Sequence, residues 1–212
     1  MRDAREAYGA RAAEYIDLLG DVGAMSPIDR RTIEEWAASI DGRILDAGCG
    51  PGHWTAHLRS RGADIEGIDQ VPGFIDSARS RFPGTEYRLG GLEAIPAEAG
   101  ELAGILAWYS VIHVDPVNLP DVLAEFARSL APGGRLLLGF FEGSRVESFP
   151  HAVTTAYFWP TEEMARLLEA AGFRVLEVQT RTDPGCRPHA AISAIRTPVG
   201  DVRPGGSPTV EG

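Results

Sequence analysis

The stretch ILDAGCGPGHW (Ile44–Trp54) decides how this sequence is interpreted. A short apolar run ends at Asp46, and three glycines follow it at alternate positions: Gly48, Gly50 and Gly52. Glycine permits positive φ angles and leaves the backbone bare, so a ligand can approach the main chain closely there. The stretch therefore predicts a strand, a tight loop at a ligand site and the start of a helix.

The alternation of short apolar runs with amphipathic segments continues beyond this loop. Strands are predicted at Arg43–Asp46, Asp64–Asp69, Glu86–Leu89, Gly104–Tyr109 and Arg135–Phe141, and helices at His53–Arg61, Gly73–Arg81, Val117–Leu130 and Glu162–Ala171. Such alternation is typical of a doubly wound α/β fold, in which a parallel sheet is covered by helices on both faces. Two closing strands, Arg174–Arg181 and His189–Arg196, are joined by a turn-forming segment and predict an antiparallel pair.

The 212 residues predict one globular unit with appendages at both ends. Helical spacing at Ala4–Leu19 and Pro27–Ser39 predicts an N-terminal helical cap over residues 1–40. The α/β domain is expected at 41–197. Residues 198–212 are rich in proline and glycine and predict a disordered tail.

Composition argues against several classes of function. The net charge is −10, and the twenty cationic residues are arginines scattered along the chain, which argues against nucleic acid as a partner. No apolar run reaches the roughly 18 residues that a membrane span needs, and the N-terminus does not resemble a signal peptide. Two distant cysteines suggest neither a disulfide framework nor a zinc site, so we expect a cytoplasmic protein. We also expect no bound metal, and either a monomer or a homodimer.

The glycine spacing helps to choose the ligand. A dinucleotide fingerprint requires a third glycine where His53 stands, and a phosphate-binding P-loop requires a lysine, which this chain lacks. Asp69 ends the second predicted strand, where an ionised carboxylate can accept hydrogen bonds from both hydroxyls of a ribose. The loop and Asp69 together predict a nucleoside site.

Four segments in order resemble the signature segments of class I S-adenosylmethionine-dependent methyltransferases: ILDAGCGPGHWTAHL, IEGID, GILAWYSVIHV and LAPGGRLLLGFF. The resemblance spans roughly Tyr8 to Arg196. It implies a Rossmann-like, mostly parallel sheet of seven strands with an antiparallel last strand and an N-terminal helical cap. It also implies S-adenosyl-L-methionine as the cofactor.

The resemblance further assigns cofactor-binding residues by position. The methionine part of the cofactor would border Asp46, Gly48 and Gly50, and the ribose would be held by Asp69. The adenine would lie near Gln70, Val71 and Leu92. Trp108 and Ser110 would line the methyl-transfer site, and Tyr15 would belong to a cap above the cofactor. In the family an Asp often meets the adenine amino group, but Gly91 stands at that position here.

Two histidines are candidate general bases for the methyl acceptor. His113 follows the fourth strand, and His151 lies in a long unpatterned insertion that we expect to act as a substrate lid. The expected substrate residues are aromatic: Tyr109, Phe149, Tyr157 and Trp159. The histidine at 113 suits a packing role equally well, and the aromatic residues of the insertion suit a core.

The leading hypothesis is a methyltransferase that acts on an oxygen or nitrogen of a small-molecule metabolite. Base-methylating enzymes carry a different pattern after the fourth strand, where this chain has WYSV. Two alternatives remain open at this point. One is a non-catalytic module that binds S-adenosylmethionine, and the other is an oxidoreductase that uses a nicotinamide dinucleotide.

Overall fold

The computed structural model describes residues 22–151 and 154–198. Five α-helices, two short 3-10 helices and nine strands lie in these residues. The helices are α1 (Pro27–Ala38), α2 (His53–Ser60), α3 (Pro72–Arg81), α4 (Leu119–Ser129) and α5 (Thr161–Ala170), and the strands are β1 (Ile44–Ala47), β2 (Ile65–Asp69), β3 (Glu86–Leu89), β4 (Leu102–Trp108), β5 (Leu130–Glu142), β6 (Glu147–His151), β7 (Thr154–Trp159), β8 (Phe173–Arg181) and β9 (His189–Arg196).

The first five strands form a parallel sheet in the order β3-β2-β1-β4-β5. Strands β1 and β2 are buried along their whole length, as strands covered on both faces require. Strand β9 pairs antiparallel with β5 and with β8, which confirms the predicted closing hairpin. The doubly wound α/β fold predicted from the sequence is therefore confirmed.

The insertion after β5 differs from its prediction. It folds as an antiparallel hairpin of β6 and β7 instead of an unpatterned lid. The hairpin meets the sheet through two parallel pairs only, Phe141 with Phe158 and Glu142 with Trp159. The sheet thus contains nine described strands where seven were expected, because β7 is rich in aromatic and β-branched residues that favour a strand.

Hydrophobic side chains pack on both faces of the sheet. One cluster contains Ile33 and Trp36 of α1 together with Trp54 of α2. On the opposite face, a larger cluster includes Phe126 of α4 and Met164 of α5. Covering both faces leaves the carboxyl edge of the parallel strands as the place where a ligand can reach the sheet.

The two ends of the chain can be described only in part. Helix α1 begins at a Ser26 cap whose Oγ accepts a hydrogen bond from the N–H of Ile28 at 3.2 Å, as the sequence predicts. The predicted helix at 4–19, including Tyr15, and most of the predicted tail lie outside the described residues. None of the described helices combines the length and apolarity needed to cross a membrane.

Gly52 supplies a test of the loop geometry. It has φ +83°, and a Cβ there would lie 2.7 Å from the Tyr87 ring and 2.8 Å from Ala78. We expect Gly52→Ala to lower the free energy of unfolding by about 1–2 kcal/mol through backbone strain and by about 1–3 kcal/mol more through overpacking. Gly133 has φ +82° and open space around it, so Gly133→Ala should show the strain alone. Equal losses in urea unfolding would contradict this packing.

Candidate functional site

A cavity of about 330 Å³ lies at the carboxyl edge of the parallel strands. Its lining comes from the loops that follow β1, β2, β3 and β4, together with residues of β5, β6 and β9. This volume falls within the range of small-molecule sites. In doubly wound sheets, ligands bind in the crevice outside the carboxyl ends of the strands.

The three loop glycines serve different purposes. A Cβ at Gly48 would lie 2.3 Å from the Cβ of Ser110, and one at Gly52 would meet Tyr87, so these two glycines permit close packing within the protein. A Cβ at Gly50, where φ is +54°, would find no atom within 4 Å. Bare backbone therefore faces the open cavity at Gly50, whereas the other two glycines are required by their neighbours.

The carboxylate of Asp69 is fixed by backbone donors. Its Oδ2 accepts from the N–H of Gly50 at 3.0 Å, and its Oδ1 accepts from the N–H of Val71 at 2.8 Å. Burial raises the pKa of this carboxyl to about 6, against the opposing effect of these hydrogen bonds. Asp69 is thus ionised at neutral pH and held at the cavity wall by the glycine loop.

Asp46 is the second carboxyl at this end of the cavity. It is 2% exposed, and its Oδ2 accepts from the hydroxyl of Thr55 at 2.7 Å. Burial raises its pKa to about 7, and the nearby charge of Asp69 adds to the shift. Asp46 and Asp69 together form an acidic wall beside the glycine loop, suited to a ligand with hydroxyl groups and a positive charge.

The end of β4 forms the middle of the cavity wall. Tyr109 has φ +56°, and among residues 22–151 and 154–198 it is the one non-glycine residue with positive φ. Its hydroxyl is hydrogen-bonded to Nδ1 of His189, and both residues line the cavity. A side chain held in a disfavoured backbone conformation is typical of functional sites.

Histidines are concentrated in this cavity. The chain has five, and four of them line it: His53, His113, His151 and His189. The fifth, His57, contacts Glu34 on the outer side of α2. His113 and His151 lie with ring centroids 5.5 Å apart. They come from the segment after β4 and from β6, whereas Asp46 and Asp69 lie on β1 and β2, on the other side in the sheet order. The cavity therefore has an acidic end and an imidazole-rich end.

The orientation of His113 is set by a backbone carbonyl. Its Nδ1 lies 2.6 Å from the carbonyl oxygen of Thr155. Because a carbonyl can only accept, Nδ1 must carry the proton, which leaves the lone pair on Nε2. Burial lowers the pKa of His113, so the ring is neutral at pH 7. A neutral imidazole can accept a proton at the nitrogen that carries no hydrogen.

His151 is placed differently. Burial lowers its pKa to about 4, and the charges of His113 and Arg187 contribute to this shift. Its Nδ1 is buried without a hydrogen-bond partner in the part of the chain that the structure describes. Its ring packs beside Phe141 at 5.2 Å between centroids. His151 therefore resembles an apolar wall residue more closely than a positioned base.

Most residues predicted for the site lie together in the cavity. The predicted cofactor residues found in its lining are Asp46, Gly48, Gly50, Asp69, Gln70, Val71, Leu92, Trp108 and Ser110, and the lining also contains Tyr109, His113 and His151. Their roles remain predictions. Phe149, Tyr157 and Trp159 are not part of the lining. Trp159 is 2% exposed and packs in the core, because β7 turns it towards the sheet.

Several lining residues were not assigned to the site from the sequence. They include Met25, Asp29, Phe74 and Phe141. His189 also lines the cavity, and its Nδ1 is hydrogen-bonded to the Tyr109 hydroxyl across 80 residues of sequence. The signal that could have placed His189 at the site was the predicted antiparallel orientation of β9. An antiparallel strand begins at the edge where the parallel strands end, so the start of β9 lies at the carboxyl edge.

Fold and site together define a doubly wound α/β protein with a ligand cavity beside a glycine loop. Comparison with known proteins agrees with this class. Residues 44–134 match the family model of the methyltransferase domain. A malonyl-[acyl-carrier protein] O-methyltransferase of Serratia marcescens is 30% identical over 155 residues, which are 73% of this chain and 56% of that protein.

Two solved structures that align with more than 90% of this chain share the fold. The 1,6-didemethyltoxoflavin-N1-methyltransferase of Burkholderia thailandensis, solved with 1,6-didemethyltoxoflavin and S-adenosylhomocysteine, is 23% identical with a TM-score of 0.75. The alignment covers 93% of this chain and 88% of that chain. Magnesium protoporphyrin IX methyltransferase from Synechocystis, with S-adenosylhomocysteine, is 16% identical with a TM-score of 0.71, and the coverage is 92% and 98%.

Residues 44–134 therefore form a methyltransferase domain, and the fold is that of class I S-adenosylmethionine-dependent methyltransferases. The family resemblance found in the sequence is confirmed. Members of the family use S-adenosylmethionine as the methyl donor. The chain spans 56% of the length of the Serratia marcescens relative. It spans 36% of the length of the malonyl-[acyl-carrier protein] O-methyltransferase of Salmonella typhimurium.

The buried Asp46 carboxyl gives a test by pH. Its folded pKa of about 7 lies above the unfolded value of about 3.9, so the folded state binds the extra proton and stability should fall as pH rises between these values. Asp46→Asn keeps an oxygen that can accept from Thr55. Between pH 5 and 7.5, we expect the free energy of unfolding of Asp46→Asn to fall less than that of the unaltered protein. The difference between the two falls should exceed about 1 kcal/mol.

The matched control for this measurement is Asp64→Asn. The Asp64 side chain is 72% exposed at the opposite end of β2. Urea unfolding of this variant should show the same fall with pH as the unaltered protein. An unchanged fall in Asp46→Asn would mean that its carboxyl is not buried as described.

Proposed function

We propose that this chain transfers a methyl group from S-adenosylmethionine to an oxygen or nitrogen of a small molecule. The observation that carries the proposal is one cavity with two chemically distinct ends. The glycine loop with Asp46 and Asp69 forms one end, and His113 stands at the other. Such a cavity suits a nucleoside donor and an acceptor that must lose a proton.

The residues at the acidic end fit the cofactor. Gly50 leaves open space against bare backbone, and Asp69 presents a fixed, ionised carboxylate for ribose hydroxyls. The Ser110 hydroxyl is buried and has no hydrogen-bond partner among the described residues, so it is available to a ligand. Trp108, which lies against Gly139, adds an aromatic wall.

The adenine edge shows how this chain departs from the family pattern. Gln70, Val71 and Leu92 line the cavity beyond Asp69, as the resemblance implies for the adenine. At Gly91, where the family often has Asp, a Cβ would lie 2.8 Å from Oε2 of Glu93. The Glu93 carboxylate thus lies beside the position of the missing side chain, but Glu93 is exposed and does not line the cavity.

The protein's own part in the reaction is alignment and removal of a proton. When bound, the cofactor supplies an electrophilic methyl group on a sulfonium. Displacement at that carbon requires close, in-line approach of a lone pair. We assign alignment of the acceptor to Tyr109 and the proton-accepting role to Nε2 of His113.

His113 suits the role of base better than His151. Its Nδ1–H bond to the Thr155 carbonyl fixes both the tautomer and the ring orientation. His151 lacks such a partner within the described residues, and burial makes its protonated form unfavourable. We propose that His151 helps to exclude water from the acceptor.

Asp69→Ala tests the cofactor site. Loss of a charge-assisted acceptor for the ribose should weaken binding of S-adenosylhomocysteine by about 1.5–3 kcal/mol, or roughly 10- to 150-fold. Isothermal titration calorimetry measures this affinity directly. Asp64→Ala should bind like the unaltered protein. If the unaltered protein binds a reduced nicotinamide dinucleotide and not S-adenosylhomocysteine, the proposed function is wrong.

His113→Gln tests the base. With an acceptor found by screening phenols and amines against radiolabelled S-adenosylmethionine, we expect turnover to fall by roughly 10²- to 10⁴-fold. Affinity for S-adenosylhomocysteine should stay within about twofold, because His113 lies away from the acidic wall. His57→Gln, at the outer histidine, should retain turnover.

The pH dependence provides an independent readout for His113. Its pKa lies below the usual 6.5, so the base stays unprotonated down to a pH below that value. Turnover of the unaltered protein should therefore be constant from pH 8 to about 6.5 and decline at lower pH. If the residual turnover of His113→Gln falls with decreasing pH in the same way, the group that titrates is not His113.

A further inference from the structure

The end of the cavity around His113, here called the acceptor end, is built from rings. It comprises Tyr109, His113, Phe141, His151 and His189. The ring centroid of Phe141 lies 5.0 Å from that of Tyr109, 5.2 Å from His151 and 5.8 Å from His189. Flat aromatic walls favour a flat, aromatic ligand, since stacked and edge-to-face ring contacts add to simple burial.

Among the residues that the structure describes, the lining has no unpaired carboxylate at the acceptor end. The carboxylates in the cavity lining are Asp29, Asp46 and Asp69, and the last two belong to the acidic end. Asp29 is bound to Arg181, with Oδ1 and Nη1 2.6 Å apart. A cationic acceptor would therefore find no counter-ion here, whereas a neutral or anionic acceptor meets no repulsion.

Arg187 brings a positive charge to this end. Its guanidinium carbon lies 4.7 Å from the centroid of Phe149 and 6.0 Å from that of Phe141. Its charge acts on His151, whose pKa it helps to lower. The side chain is exposed and forms no ion pair within the described part of the chain, although the protein as a whole is strongly acidic.

We propose that Arg187 binds an anionic substituent of the acceptor, and that the substrate is an aromatic or heteroaromatic acid. This inference rests on the proposed function, because it names the substrate class of the same site. The ring of the acceptor would lie against Phe141 and its acidic group would extend towards the guanidinium. Arginine suits this task because its planar fork matches a carboxylate and it also stacks on aromatic rings.

The test compares pairs of probes that differ only in charge. We would titrate 2-, 3- and 4-hydroxybenzoate, and the amide of each, into protein saturated with S-adenosylhomocysteine. At least one acid should bind 10-fold or more tightly than its amide. In Arg187→Gln that preference should fall to about twofold or less, through weaker binding of the acid and not of the amide.

Arg174→Gln is the matched control. Arg174 is an exposed arginine of β8, and unlike Arg187 it is not positioned over the ring of Phe141 or Phe149. This variant should keep the preference for the acid, and all three proteins should melt at similar temperatures. Equal binding of acids and amides, a preference that survives Arg187→Gln, or no binding of any acid would each overturn the inference.

Binding of S-adenosylhomocysteine separates the two proposals. If the unaltered protein binds it and shows no preference for acids, the substrate class is wrong and the proposed function stands. If the protein does not bind it, the proposed function itself is wrong, and the inference about Arg187 falls with it.

Discussion

One backbone clamp determines the geometry of the whole site. The N–H groups of Gly48 and Cys49 both donate to the carbonyl oxygen of Ile68, each at 2.8 Å. This shared acceptor ties the loop after β1 to the end of β2, and it brings the Gly50 N–H within 3.0 Å of the Asp69 carboxylate. The acidic end of the cavity is therefore a property of two adjacent strands, set by main-chain hydrogen bonds before any ligand arrives.

The parts of the molecule that local pattern encodes could be predicted from the sequence. Apolar runs and helical spacing located the five α-helices and seven of the nine described strands to within about five residues, and the predicted span His189–Arg196 of the last strand is the one observed. Asp46 and Asp69 could be placed at the cavity because each ends a strand, and parallel strands end at the same edge.

Contacts between distant parts of the chain could not be predicted in this way. Asp29 meets Arg181 across 152 residues, and His189 meets Tyr109 across 80. Neither pair leaves a local signal, since each depends on how β8 and β9 fold back onto the sheet. Alternate residues of the two insertion strands face opposite sides, so the aromatic residues of the insertion have different environments. Trp159 lies in the core, and Phe149 stacks on Phe158. The separate purposes of the three glycines likewise became clear only from their neighbours.

The hairpin of β6 and β7 has a consequence for how this family member can diversify. It joins the sheet by two residue pairs, yet it supplies His151 and the carbonyl that orients His113. The proposed acceptor wall is thus carried on a hairpin that is joined to the sheet by few pairs, whereas Asp46 and Asp69 lie on the central strands. Changes in that hairpin can alter the shape of the proposed acceptor wall without disturbing the main sheet.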